Sequence, residues 1–154
     1  MRETVLKPGD TAPDFLLPDH NDNKISLSGL AGKRVLLSFH PLAWTPVCEV
    51  QMRTLEIKHA LLEKLNTVAL GLSVDGVFSK KAWARHMGVE KTSLLADFWP
   101  HGQVAAQYGL FIEKLGFSGR ANVLIDPAGK VEQVWVYEIP EVPDIESVIR
   151  FLAK

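Results

Sequence analysis

The chain reads as an α/β protein with a mixed sheet, on three observations. Three short apolar runs rich in β-branched residues, "RVLLSFH" (34–40), "TVALGLSV" (67–74) and "ANVLID" (121–126), each end in turn residues, the pattern of strands covered on both faces. Helical stretches alternate with them. "DPAGK" (126–130), between "ANVLI" and "VEQVWVYE", is a Pro-then-Gly turn that joins two strands as an antiparallel hairpin at one side. Alternating strands and helices plus a hairpin imply a central sheet flanked by helices.

The elements follow in order. Strand 34–40 leads through a short loop, "PLAWT", into a long helical stretch, "PVCEVQMRTLEIKHALLEKLN" (46–66), which opens with the proline favoured at a first helical position. After strand 67–74, "SKKAWARHMG" (79–88) is a helix ending at Gly, and shorter helices are expected at 101–108 and 144–153. No repeat, low-complexity segment or long Gly/Pro/Ser linker interrupts the 154 residues, so 1–154 is expected to form a single domain. A chain of this length removes about 68–70% of its unfolded surface from water.

Composition narrows the function. Seventeen Lys and Arg against eighteen Asp and Glu give a net charge of -1, with no basic block to track a phosphate backbone, so nucleic acid is not an expected partner. The opening "MRETVLKPGDTAPDF" has no apolar targeting core, and no run approaches the roughly 20 apolar residues of a membrane span. A soluble, cytoplasmic chain is the expectation. No Gly-rich nucleotide loop is present, and His20, His59, His86 and His101 lack metal-ligand spacing, so neither a dinucleotide cofactor nor a metal is implied. The single cysteine, Cys48, cannot form an internal disulfide; any disulfide is made with another molecule.

Cys48 falls in the first turn of the helix that Pro46 opens. Helix N-termini carry unpaired N–H groups and partial positive charge, which favour a thiolate over a thiol. Thr45 is the expected N-cap, its hydroxyl oxygen accepting from an N–H two or three residues on, at or next to Cys48. Cys48, Met52, Leu55 and Leu62 fall near one line along the helix, so the sulfur is expected on the core side and largely buried. Free cysteine is also a common small core residue, so local physics alone leaves a reagent and a packed hydrophobe both open.

Pro41, Thr45 and Cys48 stand at the spacing of the signature of the peroxiredoxins (the alkyl hydroperoxide reductase and thiol-specific antioxidant family), thiol-dependent peroxidases with a thioredoxin-like fold, and the chain resembles that family along nearly its whole length. "KPGDTAPDFLLPD" (7–19), "AWARHMG" (82–88), "LLADFWPHGQVAAQYGLF" (94–111) and "GRANVLIDPAGKV" (119–131) look like successive segments of the family, with Arg120 at the position of its active-site arginine. "FHPLAWTPVC" and "ADFWPHG" look most like the one-cysteine group typified by mycobacterial alkyl hydroperoxide reductase E, whereas "TPVCEVQ" leans toward the bacterioferritin comigratory protein group. The resemblance implies Cys48 as peroxidatic cysteine, Pro41, Thr45 and Arg120 as catalytic companions, a peroxide substrate and at least a dimer.

The chemistry accounts for these residue types. A thiolate attacks one peroxide oxygen while charge moves onto the other. Lowering a thiol from about 8.5 to about 6 requires about 3.4 kcal/mol, and a helix terminus supplies about 0.3–1, or 2 when partly buried. A guanidinium beside the sulfur supplies the rest and binds the peroxide oxygens in the transition state, the role expected of Arg120. Thr45 O–H and the N–H groups of Val47 and Cys48 would orient the peroxide, Pro41 would limit water, and the product at Cys48 would be a sulfenic acid.

Two departures from the family pattern stand out. Many members have Glu three residues after the cysteine, where this chain has Gln51, and Glu49 follows Cys48 directly, where it opposes ionisation unless it points to solvent. The chain stops at "VIRFLAK", without the longer arm that often carries a second cysteine. An external thiol (thioredoxin, glutaredoxin or a small thiol) is therefore expected to finish the cycle. His40 is read as bracing the loop, Trp44 as covering the loop or meeting a second subunit, and Trp83, Phe98 and Trp99 as core or interface residues. Arg53 and Arg85 are read as solvated helix charges. Two other functions fit the fold: a disulfide reductase, disfavoured because Thr45 replaces the first cysteine of a CxxC, and a non-catalytic redox-sensing or chaperone module, disfavoured by the joint presence of Pro41, Thr45, Cys48 and Arg120.

Overall fold

Strand order places the reactive region at the middle of one sheet. A computed structural model describes residues 4–154, so the first three residues of the expected 1–154 span lie outside the described residues. The central sheet has five strands, in spatial order β5 (Ser93–Ala96), β4 (Thr67–Ser73), β3 (Arg34–Phe39), β8 (Arg120–Ile125) and β9 (Val131–Tyr137). The middle strand β3 (Arg34–Phe39) pairs in parallel with β4 (Thr67–Ser73), which pairs in parallel with β5 (Ser93–Ala96). On its other side β3 runs antiparallel to β8 (Arg120–Ile125), which forms the expected hairpin with β9 (Val131–Tyr137). The turn is held by Asp126, whose carboxylate accepts from the N–H groups of Ala128 and Lys130, both at 2.9 Å.

Helices cover both faces. α1 (Pro46–Ile57), α2 (His59–Lys64), α3 (Val77–Met87) and α5 (Ile145–Leu152) supply one apolar layer, and α4 (Gln103–Gln107) contributes to the other. The stretch 46–66, expected as one helix, bends at Lys58 (φ -89°, ψ 4°) into α1 and α2. The Thr54 hydroxyl donates back to Val50 O at 2.7 Å, a bond that bends helices. α3 ends at Gly88 in the left-handed region (φ 73°), as its glycine suggested, and Asp144 caps α5 by accepting from Glu146 N at 3.1 Å. Two small antiparallel pairs, β1 (Leu16–Pro18) with β2 (Lys24–Ser26) and β6 (Phe111–Ile112) with β7 (Phe117–Ser118), were not legible as strands because each is only two or three residues long. No helix among the described residues is long and apolar enough to cross a membrane.

Alternation along the strands sets the two layers. Val35, Leu37 and Phe39 of β3 join Leu70 and Leu72 of β4 and Ala121, Val123 and Ile125 of β8 in one core. Leu36 and Leu124 point the other way, into the core shared with Cys48, Met52, Leu55 and Trp83. Arg120 and Asn122 share Leu124's face of β8, and Ser38 shares Leu36's face of β3, so polar groups gather under the start of α1.

Candidate active site

The sulfur of Cys48 is completely buried at the third position of α1, with Pro46 at N1 and Thr45 at the N-cap (φ -103°, ψ 148°). The capping bond expected of Thr45 is not made. Its hydroxyl donates to Leu42 O at 2.7 Å. The reason lies in the loop: Trp44 takes a left-handed conformation (φ 71°), which folds the chain back and presents the Leu42 carbonyl to Thr45. No side chain therefore caps α1, and the N–H groups of Val47 and Cys48 in its first turn remain without a side-chain acceptor.

Arg120 reaches the sulfur across the sheet. Its Nη1 donates to Cys48 Sγ at 3.3 Å and to Gln51 Oε1 at 2.8 Å, while its Nε donates to Ile139 O at 2.9 Å. The guanidinium is thus held between α1 and the segment after β9 and is 2% exposed. Gln51, three residues beyond Cys48 and on the same face of α1, donates from Nε2 to Ser38 Oγ at 2.7 Å and to Phe39 O at 3.1 Å. A carboxylate in its place would neutralise Arg120; the neutral amide orients the guanidinium and leaves its charge to the sulfur.

Pro41, Thr45, Val47 and Arg120 come together around a cavity of about 240 Å³, completed by Leu42, Pro46, Phe117, Ile139 and Pro140. Its walls are mainly apolar, and Arg120 is its charged group. Glu49 is turned to Arg53 (3.2 Å) and His86 (3.4 Å) rather than toward the sulfur. Arg53 is thereby occupied on the helix surface, and Arg85 is exposed. Trp44 lies on α3, with Nε1 donating to Ser79 Oγ at 3.2 Å and its ring 5.4 Å from that of His86. Trp83 is core, whereas Phe98 and Trp99 are exposed. Among the described residues no cluster of three His, Cys, Asp or Glu is placed to hold a metal.

His40, expected to brace the loop, does so with a partner that the sequence did not single out, Lys80. His40 is fully buried, its Nδ1 at 3.2 Å from Ser38 O and its Nε2 at 3.1 Å from Lys80 Nζ. Burial first, then the neighbouring Lys80 charge, hold His40 well below its ordinary value of 6.5 despite the Ser38 bond. Burial likewise lowers Lys80 to about 7. Lys80 occupies the buried stripe of α3 with Trp83, Ala84 and Met87, a helical spacing in which a lysine was a readable anomaly.

A five-stranded mixed sheet whose central strand delivers a buried cysteine to a helix N-terminus, facing an arginine from an antiparallel neighbour, defines a thioredoxin-like thiol-redox protein. The model of the AhpC/TSA family matches residues 8–134, and the chain belongs to that family, the peroxiredoxins. It is 38% identical over 141 residues to alkyl hydroperoxide reductase E of Mycobacterium tuberculosis, covering 91% of this chain and 92% of that one. It is 37% identical over 137 residues to peroxiredoxin Bcp of Escherichia coli, covering 84% and 85%. Among solved structures, peroxidoxin BcpB from Mycobacterium tuberculosis superposes with a TM-score of 0.84 at 28% identity, over 96% of this chain and 97% of that one. The peroxidase class expected from the motif is thus shown at the level of the family.

Proposed function

We propose that the protein reduces hydrogen peroxide and organic hydroperoxides through Cys48 alone, with an external thiol completing the cycle. The observation that carries this is the 3.3 Å contact between the Arg120 guanidinium and the buried Cys48 sulfur. The thiolate attacks one peroxide oxygen; the S–O bond forms as the O–O bond breaks, and the departing oxygen takes up a proton and leaves as water or an alcohol. Cys48 becomes a sulfenic acid. Arg120 and the uncapped N–H groups of Val47 and Cys48 bind the developing oxygen charge, Thr45 orients the peroxide, and Pro41 screens the sulfur from water. The apolar cavity wall of Ile139, Pro140 and Phe117 suits the organic portion of a hydroperoxide.

Since Cys48 is the only cysteine, the sulfenic acid condenses with a thiol from outside the chain, losing water, and a second thiol releases reduced Cys48. Thioredoxin, glutaredoxin or a small thiol fits that role, and a reducing cytoplasm fits the lone thiol. A homodimer is supported by the exposed aromatics Trp44, Phe78, Phe98 and Trp99. In the decisive test, Cys48→Ser abolishes thiol-dependent peroxide consumption while keeping the fold. Wild type treated with one equivalent of peroxide yields a sulfenic acid at Cys48 that a dimedone-type probe traps. Turnover by Cys48→Ser near the wild-type rate, or a quantitative disulfide between two Cys48 residues, would refute the one-cysteine cycle.

A further inference from the structure

Lys80 is 0% exposed, and nothing in packing alone asks for a lysine there. Apolar residues of similar volume usually stabilise such a position at least as well as a buried charge, because the ammonium must give up its hydration. The bonds it makes point to another use. Nζ donates to His40 Nε2 at 3.1 Å and to Ser73 Oγ, and stands 5.9 Å over the ring of Trp83. His40 Nδ1 faces the Ser38 carbonyl, so that nitrogen carries the proton and Nε2 is free to accept from the ammonium. The Ser73 hydroxyl donates to Asp75 Oδ2, and the same carboxylate oxygen accepts from the backbone N–H of Ala43 at 2.8 Å.

One ammonium therefore ties together four pieces of backbone: α3, the end of β4, the loop at Asp75, and the segment from His40 to Ala43. That last segment is held at both ends, and it leads through Thr45 into the turn of helix that carries Cys48. We propose that Lys80 is a positioning residue for the reaction at Cys48, holding the 40–45 loop through His40 and through Ser73 and Asp75, and adding a second buried positive charge that favours the thiolate. The rate effect rests on the peroxidase reading above; the charge effect does not.

A pH dependence follows. Burial draws Lys80 down to about 7, against the opposing charges of Asp75, Cys48 and Asp97, so the hold weakens as pH rises through that value. The charged and titratable groups around it are His40 just after β3, Cys48 on α1, Asp75 after β4, Asp97 after β5, His20 after β1 and, acting on His40 from β8, Arg120. Ionisation of Cys48 raises the rate with pH and loss of the Lys80 proton lowers it, giving a profile that falls on the alkaline side.

Two readouts test this: the second-order rate with hydrogen peroxide, and the rate of Cys48 alkylation by iodoacetamide as a measure of thiolate, each across pH. In wild type the peroxide rate should pass through a maximum. Lys80→Met should lose the alkaline fall, react about tenfold more slowly near neutral pH, and shift its alkylation curve toward higher pH, tenfold being the effect of one unit of thiol ionisation. Lys80→Arg, permanently charged, should keep the neutral-pH rate without the alkaline fall. Ser73→Ala, which leaves the ammonium but cuts its link to Asp75, should slow the peroxide reaction with little change in alkylation. A wild-type peroxide rate that only rises to a plateau would overturn the proposal without any variant. So would a Lys80→Met protein slowed equally at every pH with an unmoved alkylation curve, which would make Lys80 structural only. Wild type whose alkylation depends on Lys80 but which ignores peroxide would support the charge coupling and refute the peroxidase reading instead.

Discussion

The two faces of the central sheet are cut from the same strands and serve different ends. On one, Val35, Leu37, Phe39, Leu70, Leu72, Ala121, Val123 and Ile125 form an unbroken apolar layer under Phe15, Val104, Tyr108 and Leu110. On the other, the layer is apolar at Leu36, Leu94 and Leu124 but turns polar toward the ends of β3 and β4, where Ser38, His40, Ser73, Arg120 and Asn122 are all buried. The first face needs only area and shape. The second carries two cations, an imidazole and a thiol in the interior, and is tolerable because nearly every polar atom there has a partner. Asn122 Oδ1 and, on α3, Trp83 Nε1 are the exceptions, buried without a bond. One side of the sheet is apolar throughout and the other carries the buried polar groups, one residue apart along each strand.

That division can be broken from either side. The largest effect is expected for Arg120→Met, which removes the donor at the sulfur: peroxide reduction should fall by about 10²–10³, and raising the pH should restore only part of it. Stopped-flow Trp fluorescence measures this, with Arg85→Met as an unchanged comparison; a rate within about threefold of wild type would move the anion-stabilising role to another group. Leu37→Ala, on the apolar face, should cost about 2–5 kcal/mol in urea unfolding. Its folded fraction should nevertheless react with peroxide within about twofold of wild type, and a larger loss would mean that the two faces are not separable.

Gln51→Glu tests the polar face more finely. A carboxylate 2.8 Å from Arg120 Nη1 competes with the sulfur for the same charge. The expected result is an about tenfold slower reaction near neutral pH, recovered as pH rises, since one unit of thiol ionisation corresponds to about 1.4 kcal/mol. An unchanged alkylation profile for Cys48 would show that the guanidinium is not shared in this way.

The smallest expected effect is on acid stability. Burial and Lys80 keep His40 neutral in the folded state well below 6.5, while the unfolded chain takes up that proton near 6.5. Below that pH the unfolded state binds more protons, so this contribution is complete above about 6.5 and is lost as pH falls, by at most about 1.4 kcal/mol per pH unit. Asp97, raised to about 6 by burial, acts in the opposite direction at lower pH. Subtracting the urea midpoints of His40→Gln from those of wild type removes the Asp97 contribution and isolates His40. A flat difference between pH 5 and 7 would contradict a neutral buried His40, on the roughly one-unit scale over which a histidine titrates.

Much of this protein was decided locally and could be read from the chain alone. The runs 34–40, 67–74 and 121–126 are strands because β-branched and apolar residues fill both of their faces. The "DPAGK" hairpin and the Gly88 stop are turn chemistry. Cys48 lies at a helix N-terminus because Pro46 follows a loop, and its burial follows from the spacing to Met52 and Leu55. Arg120 was found through resemblance to a family, not through any local signal. The Thr45 bond back to Leu42 came from the turn at Trp44, which the capping pattern did not show, and only the tertiary structure decided that Gln51 holds Arg120 and that Lys80 meets His40. The physical reason is the two-residue period of a strand. It assigns side chains to a face, but which faces meet depends on the order β4-β3-β8 and on where α1 and α3 cross them, and hydrogen bonds among buried groups 32 to 72 residues apart exist only once that order is set.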